Sequence, residues 1–473
     1  MSSKNQKSND GVDFVSPLSD ILLILIEQLS IFLVFASKWG IGKIAQKYFG
    51  VIPNQPVKLK QLRSNKRSVN TDELGYSLNN KSNFKLTNLN TGKHTAVIGS
   101  TGSGKTVCLQ VLIDHALRSG RPVIYFDPKA SKESIRTFRK MCHAQNKKLY
   151  IFSDISENAT PFNPLLDGSL DDISDRIINA LDWSEPFYKN ESISALDEVL
   201  EALRNNDLPI TLERITSELT KHKNLKNIKG LVNQLSKVSK SPYGKLLNYE
   251  GKDSLSFNSL RLQNACIYIG VSSMGHSSSG NILNKIFFGG LLNHTKESLT
   301  GKVPGLMRPL EKPISVVFDE LSSTIHEGFI DLQNKCREAG IEITYATQGP
   351  SDIDRISPIL TQQIFENTNN LFVFNQVVPE HTEFFARTFG TVKNEKKTHV
   401  IENDRRVGTG TEREVEEFVV HSNILRSLKV GQCILYQRVP KRINLLNIRH
   451  FKVNEIDLPD TNAQEGRSNS IFS

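Results

Sequence analysis

Between an apolar segment and a segment with helical periodicity lies the run GSTGSGKT, at Gly99–Thr106. His94–Ile98 before it is typical of a short buried strand, and VCLQVLIDHAL after it repeats apolar residues at helical spacing. The pattern G-x-x-x-x-G-K-[ST] in a strand–loop–helix context predicts a loop whose backbone N–H groups surround phosphates. Glycines permit this loop because they remove the Cβ atoms that would obstruct it. An ordinary glycine-rich turn is the alternative interpretation.

The loop predicts ATP and Mg²⁺ as ligands. Lys105 is expected to reach the β- and γ-phosphates, Thr106 to offer its hydroxyl to Mg²⁺, and the following helix N-terminus to add its dipole. The predicted nucleotide-binding residues are Gly99, Ser100, Thr101, Gly102, Ser103, Gly104, Lys105 and Thr106.

A nucleotide site of this kind needs a second, acidic strand. Pro313–Asp319 (PISVVFD) is an apolar run that ends in Asp319, and Glu320 follows it. Asp319 is predicted to bind Mg²⁺ through water, and Glu320 to polarise the attacking water.

Two further side chains are candidates for catalysis. Gln348 follows the predicted strand Ile341–Ala346 and is expected to sense the γ-phosphate or orient water, unless it is an ordinary loop glutamine. Arg337, on the amphipathic stretch before that strand, is a candidate arginine finger acting on a neighbouring subunit. A surface ion pair is the alternative role for this arginine.

Strand and helix patterns alternate along much of the chain, which predicts an α/β fold with a mostly parallel sheet covered on both faces. The carboxyl ends of such strands hold ligands, and Gly99, Asp127, Asp319 and Gln348 all fall there. His276–Gly280 and Gly301–Lys312 are expected to be loops. The remaining predicted strands are Pro122–Phe126, Lys148–Phe152, Ala265–Gly270, Asn370–Asn375 and Gln432–Gln437.

The net charge of +9 is concentrated in two places. Eleven Lys and Arg residues lie from Lys38 to Lys93 against Asp72 and Glu73, and a second basic cluster lies from Lys221 to Lys252. Such clusters favour polyanions, either nucleic acid or lipid headgroups, although a solvated basic face is the alternative. The five cysteines show no CxxC spacing, which favours reduced thiols over disulfides or a zinc site.

Ile21–Ser37 (ILLILIEQLSIFLVFAS) is nearly long enough to cross a bilayer, at roughly 26 Å as a helix. Glu27 opposes insertion, and a buried amphipathic helix is the alternative. Lys38, Lys43 and Lys47 follow, so a single anchor would leave the rest of the chain cytoplasmic by the positive-inside rule.

The chain resembles type IV secretion coupling proteins of the TraG/TraD/TrwB family, relatives of the FtsK and HerA DNA pumps. The resemblance covers about Asn83 to Arg449. It is carried by GSTGSGKT, YFDPKAS, PFNPL, VVFDEL, CREAGIEITYATQGPSDI, NNLFVFN and TGTEREVEEFVVHSNILRSLKVGQCILYQRVP.

This resemblance implies a RecA-like P-loop ATPase, anchored in the inner membrane with a cytoplasmic catalytic domain. It also implies a homohexamer that passes single-stranded DNA, without sequence preference, and relaxase to a type IV secretion channel. The family's nucleotide, magnesium and catalytic positions correspond here to Lys105, Thr106, Asp319, Glu320 and Gln348. The resemblance also implies that Arg337 is the arginine finger that acts on a neighbouring subunit. The family usually has two membrane spans, whereas this sequence offers one.

The predicted organisation is an anchor region at 1–50, a basic linker at 51–82 and a first nucleotide-binding part at 83–168. An all-helical insertion follows at 169–250, then the second nucleotide-binding part at 251–452 and a flexible tail at 453–473. A protein-effector secretion ATPase that never handles DNA is the main alternative function. A chromosome-segregation pump and a nucleotide-gated scaffold are the others.

Overall fold

The computed structural model describes residues 55–68, 70–89, 93–248, 254–272, 277–303, 305–325, 328–402 and 405–451. The central sheet lies in the unit that comprises residues 53–437 and 443–473. The predicted span at Ile21–Ser37 lies outside the described residues, and none of the helices within them is long and apolar enough to cross a membrane.

The central sheet has eleven strands in the order β2-β1-β13-β12-β9-β3-β8-β7-β4-β6-β5. Its parallel part runs from β9 to β5, and all the pairings in that part are parallel. These strands are β3 (Thr95–Ile98), β4 (Val123–Phe126), β5 (Leu149–Ser153), β6 (Cys266–Gly270), β7 (Ile314–Phe318), β8 (Ile341–Thr347) and β9 (Asn370–Val373). The predicted α/β fold with a mostly parallel sheet is therefore confirmed.

Both faces of this sheet are buried. Successive residues of a strand point to opposite faces, so neighbouring residues enter different cores. On β3, Val97 joins one core cluster while Ala96 and Ile98 join the other. The helices α1 (Lys105–Arg118) and α2 (Lys132–Ala144) cover the Val97 face. The opposite cluster includes the helices of the insertion.

The remaining strands of the central sheet form its antiparallel end. Strand β12 (Gln432–Gln437) pairs antiparallel with β9, and β1 (Glu73–Ser77) pairs antiparallel with both β13 (Arg442–Ile448) and β2 (Ser82–Lys85). Strand β12 was predicted from the sequence, whereas β1, β2 and β13 were not. Strands β1 and β2 begin inside the stretch interpreted as a basic linker.

Five helices lie in the described part of the stretch predicted to be an all-helical insertion. Its helices are α3 (Leu170–Ile178), α4 (Pro186–Asn205), α5 (Leu212–Thr220), α6 (Leu225–Ser239) and α7 (Gly244–Leu247). The other helices are α8 (Phe257–Leu262), α9 (Ser277–Leu299), α10 (Phe329–Cys336), α11 (Pro350–Asp354), α12 (Pro358–Asn367), α13 (Pro379–Phe389) and α14 (Ser422–Arg426). The strands β10 (Thr391–Glu402) and β11 (Arg405–Phe418) form a separate antiparallel hairpin.

One local prediction is wrong. The stretch His276–Gly280 was expected to be a loop, but α9 begins at Ser277. Serine and glycine are weak helix formers, and here tertiary packing overrides that weakness because Ile282, Ile286 and Phe287 on the same helix are buried.

Candidate nucleotide site

The loop Gly99–Thr106 lies where the sequence places it, between β3 and α1. Gly102 and Gly104 have φ values of +75° and +112°, a left-handed region that glycine adopts without the strain of a Cβ. Lys105 opens α1, and its Nζ donates hydrogen bonds to the carbonyl oxygens of Gly99 at 2.5 Å and Ser100 at 3.1 Å. The ammonium is therefore held inside the loop, where phosphate oxygens would approach.

Neighbouring strands and turns hold this loop in place. The N–H of Gly99 donates to the carbonyl of Thr347 at 3.2 Å, and that of Ser100 to the carbonyl of Asn375 at 2.9 Å. The N–H of Gly431 donates to the carbonyl of Ser103 at 2.9 Å. These contacts tie the loop to the ends of β8 and β9 and to the turn before β12.

The two predicted carboxylates stand at the end of β7, two strands from β3. Asp319 is 4% exposed, and its N–H donates to the carbonyl of Phe126 at 3.0 Å. Glu320 accepts a hydrogen bond from the Ser322 hydroxyl at 3.1 Å. Strand β7 is parallel to β8, and β8 is parallel to β3, so the carboxylates share one edge of the sheet with the loop.

The charges of Lys105 and the carboxylates act on one another. Burial raises the pKa of Glu320, and the charge of Lys105 opposes that rise. Burial lowers the pKa of Lys105, and the negative charges of Glu320 and Asp319 counteract this. These effects agree with the strand order, which places Lys105 and the two carboxylates at one edge of the sheet.

A third group of residues joins the site from the end of β4. The Nζ of Lys129 lies 3.5 Å from Oδ2 of Asp319. Asp127 accepts from the Tyr268 hydroxyl at 2.7 Å. Sequence reasoning placed Asp127 at this edge but gave no role to Lys129. The signal for it was the run DPK directly after a buried strand.

Gln348 also lies at this edge, exposed at the end of β8. Its N–H donates to Oδ2 of Asp352 at 2.9 Å, and the Thr347 hydroxyl donates to the same oxygen at 3.0 Å. Gln376 donates to the carbonyl of Gln348 at 3.1 Å. The backbone of Gln348 is thereby fixed while its side chain remains exposed.

Arg337 lies elsewhere in the chain. It caps the C-terminal end of α10 and precedes β8, so it stands at the amino edge of the sheet. Its charge adds to burial in lowering the pKa of Lys93, which precedes β3 at that same edge. The structure therefore does not bring Arg337 together with Lys105 within one chain.

The oxygen donors near the loop suit Mg²⁺, which prefers hard oxygen ligands and keeps several waters. Thr106 is exposed in the first turn of α1, and the buried Asp319 carboxylate has its pKa raised by burial and by Asp127. A nearby divalent cation would favour the ionised form of Asp319. Among the described residues no cluster of three or more His, Cys, Asp or Glu side chains forms a separate metal site.

The fold and the site define a P-loop nucleotide-binding protein with a mostly parallel sheet. Residues 73–254 match the family described as the central domain of helicase HerA. Residues 313–429 match the family described as the TraM recognition site of TraD and TraG. No curated protein matches the chain. The two matches confirm the resemblance to coupling proteins and HerA that the sequence indicated.

Several solved structures have a similar fold. The bacterial conjugative coupling protein TrwBdeltaN70, in its unbound monoclinic form, is 15% identical with a TM-score of 0.60, covering 87% of this chain and 98% of that one. The plasmid coupling protein TrwB in complex with ADP and Mg²⁺ is 16% identical with a TM-score of 0.57, covering 85% and 95%. VirB4 of Thermoanaerobacter pseudethanolicus is 12% identical with a TM-score of 0.55, covering 80% and 96%.

Proposed function

We propose that this chain is an ATP hydrolase of the type IV coupling class, and that it uses hydrolysis to move DNA. The observation that carries the proposal is that the loop after β3, which leads into Lys105, and the end of β7, which leads into Glu320, lie at the same edge of the sheet on either side of β8. A phosphate-binding lysine and a carboxylate able to activate water are the two groups that nucleoside triphosphate hydrolysis needs. The similarity to TrwB, whose complex holds ADP and Mg²⁺, supports the same ligands here.

Each residue then has a defined part. The backbone of Gly99–Thr106 and the Lys105 ammonium bind the phosphates, and Thr106 and Asp319 would hold Mg²⁺. When bound, Mg²⁺ neutralises charge on the phosphate oxygens. Glu320 accepts a proton from the attacking water, and Gln348 orients that water or senses the terminal phosphate. Arg337 acts on the site of a neighbouring subunit, because in its own subunit it stands at the opposite edge of the sheet.

A lysine stripe on α6 supports the DNA part of the proposal. Lys226, Lys229 and Lys237 on this helix and Lys240 at its C-cap are all exposed. At 3.6 residues per turn these four fall within an arc of roughly 80°. The opposite face carries the buried apolar residues Ile228, Leu231, Val232, Leu235 and Val238. A stripe of positive charge suits a phosphate backbone and carries no base specificity.

The coupling-protein resemblance extends the proposal to location and assembly. A homohexamer would place Arg337 against a neighbour's nucleotide, and an anchor at residues 21–37 would hold the ring at the inner membrane. The partners would be single-stranded DNA, relaxase and the type IV channel. The match of residues 313–429 to a TraM recognition site supports contact with relaxosome proteins through this part of the chain.

The test is phosphate release by the oligomeric protein with and without single-stranded DNA. We expect hydrolysis in the wild type, stimulation by DNA of any sequence, and loss of both in Lys105→Ala. A hydrolysis rate that does not change with DNA but rises when a secreted protein is added would support the effector-secretion alternative instead. Absence of hydrolysis in every assembly state would refute the enzyme and leave a nucleotide-gated scaffold.

A further inference from the structure

Lys129 combines a fixed backbone with a largely exposed side chain. Its N–H donates to Oδ1 of Asp127 at 2.9 Å, and Asp127 is itself only 1% exposed. Ala130, the next residue, has a φ of +48°, a conformation that is unusual for a residue other than glycine. The Lys129 side chain, in contrast, is 59% exposed, although its ammonium pairs with Asp319.

The position of Lys129 is defined by the strand order. Strand β4 lies beside β7, so Lys129 stands on the far side of Asp319 and Glu320 from Lys105. Its ammonium lies 3.5 Å from Oδ2 of Asp319, at the strand end that leads into Glu320. The space between the two lysines is where the terminal phosphate belongs if Glu320 activates the attacking water.

The pairing of Lys129 with Asp319 is loose. A distance of 3.5 Å is long for a charge-assisted hydrogen bond, which is usually 2.7–2.9 Å. A Mg²⁺ ion bound near Asp319 would also neutralise part of the carboxylate's negative charge, and this would weaken the attraction between Asp319 and Lys129. A lysine has a flexible four-carbon stem and three donors, so it can exchange one oxygen partner for another at little cost.

We propose that Lys129 is a second phosphate-binding lysine, which leaves Asp319 and contacts the terminal phosphate when a nucleoside triphosphate is bound. This inference rests on the proposed function, because it assumes that the nucleotide occupies the loop at Gly99–Thr106. In this proposal Lys105 contacts the phosphates of both a nucleoside triphosphate and a diphosphate, whereas Lys129 contacts only the triphosphate. Lys129 therefore lets the site distinguish the two nucleotides.

The test compares Lys129→Met with Lys132→Met, which removes an exposed lysine from the start of α2. Affinity for Mg²⁺-ADP and for a non-hydrolysable Mg²⁺-ATP analogue is measured on the full-length protein, together with the rate of phosphate release. A charge-assisted contact to phosphate is typically worth about a tenfold to hundredfold change in binding. We therefore expect Lys129→Met to weaken the analogue about tenfold or more and leave ADP within about twofold, while Lys129→Arg recovers part of the loss.

Equal weakening of both nucleotides would overturn the proposal, because it would show that Lys129 only holds Asp319 in place. No change in either affinity would also overturn it. The wild type separates this inference from the proposed function. If the wild type hydrolyses ATP and Lys129→Met keeps its preference for the analogue, only the role of Lys129 fails. If the wild type never hydrolyses ATP, the proposed function fails and the two affinities still decide the role of Lys129.

Discussion

The N–H of Gly431 donates a hydrogen bond 2.9 Å long to the carbonyl of Ser103, so a turn near the C-terminal end of the described chain packs directly on the phosphate loop. The backbones approach each other closely at Gly104 and Gly431. A Cβ at Gly104 would lie 3.0 Å from the nitrogen of Gly431, and Gly431 itself has a φ of +80°. Two segments that are far apart in the sequence therefore pack directly on each other through their backbones.

This contact predicts that Gly431→Ala weakens nucleotide binding although the residue touches no ligand. The added Cβ is strained at this φ and would lie 2.7 Å from the Arg67 guanidinium. That guanidinium donates to the carbonyl of Val430 at 2.9 Å, so displacing it removes a support of the turn that contacts Ser103. We expect about a threefold to tenfold loss of ADP affinity, measured by calorimetry. Gly120→Ala is the matched control, since Gly120 has the same φ of +80° but nothing within 4 Å. Equal effects of the two substitutions would contradict this account.

Asp352 is predicted to position Gln348 for hydrolysis. Its carboxylate accepts from both Thr347 and Gln348, so Asp352→Ala should release the end of β8. We expect Asp352→Ala and Gln348→Ala each to lower kcat about tenfold with little change in nucleotide affinity, and the double substitution to lower it no further. Asp354→Ala, exposed on the same helix, is the control. Fully additive losses in the double variant would show that the two residues act separately.

The lysine stripe on α6 is predicted to carry DNA binding. Replacing Lys226, Lys229 and Lys237 with Glu should abolish stimulation of hydrolysis by DNA and leave basal hydrolysis within about twofold. Binding to single-stranded DNA, measured by fluorescence anisotropy at several salt concentrations, should lose both affinity and salt dependence. The control replaces three exposed lysines outside the insertion, Lys302, Lys312 and Lys335, with Glu. If both triple variants lose DNA equally, net charge and not the stripe is responsible.

His294 is predicted to make stability depend on pH. The imidazole is fully buried, with Nδ1 2.6 Å from Oδ1 of Asn258 and Nε2 3.4 Å from Nη1 of Arg261. Burial, followed by the charge of Arg261, lowers its pKa to about 3, against about 6.5 in an unfolded chain. Below pH 6.5 the unfolded state binds a proton that the folded state does not, so stability falls as pH falls towards 3.

The measurement is the free energy of unfolding by urea at pH 7.5 and 5.5. We expect the wild type to lose about 1.4 kcal/mol more than His294→Gln over this range. His143→Gln, which removes an exposed histidine from α2, should behave like the wild type. A wild type and His294→Gln with the same pH dependence would exclude a neutral buried imidazole.

The parallel half of the fold could be predicted because its sequence signals are strong. Strands such as Ile314–Phe318 are short apolar runs buried on both faces, and each leads to a helix or a polar turn. The strand order then places the phosphate loop, Asp319 and Gln348 at one edge. These residues were predicted as a site because motif spacing and sheet topology agree.

The antiparallel end of the sheet could not be predicted from the sequence in the same way. Strand β2 (Ser82–Lys85) has a single buried residue, Phe84, so its apolar pattern is too short to recognise. Strand β1 contains Gly75, whose missing Cβ allows the carbonyl of Asn447 to approach, and this is a tertiary contact that no local pattern encodes. The contacts of Lys129 and Gly431 were missed for the same reason, because each depends on a partner remote in the sequence.

Glu320→Gln separates the two roles on which the proposed function depends, because Lys105 binds the nucleotide and Glu320 activates water. Phosphate release and Mg²⁺-ATP affinity are measured on the wild type, Lys105→Ala and Glu320→Gln. We expect Glu320→Gln to bind ATP within about threefold of the wild type but to hydrolyse it at least about a hundredfold more slowly, while Lys105→Ala loses both. Hydrolysis by Glu320→Gln at the wild-type rate would contradict these roles.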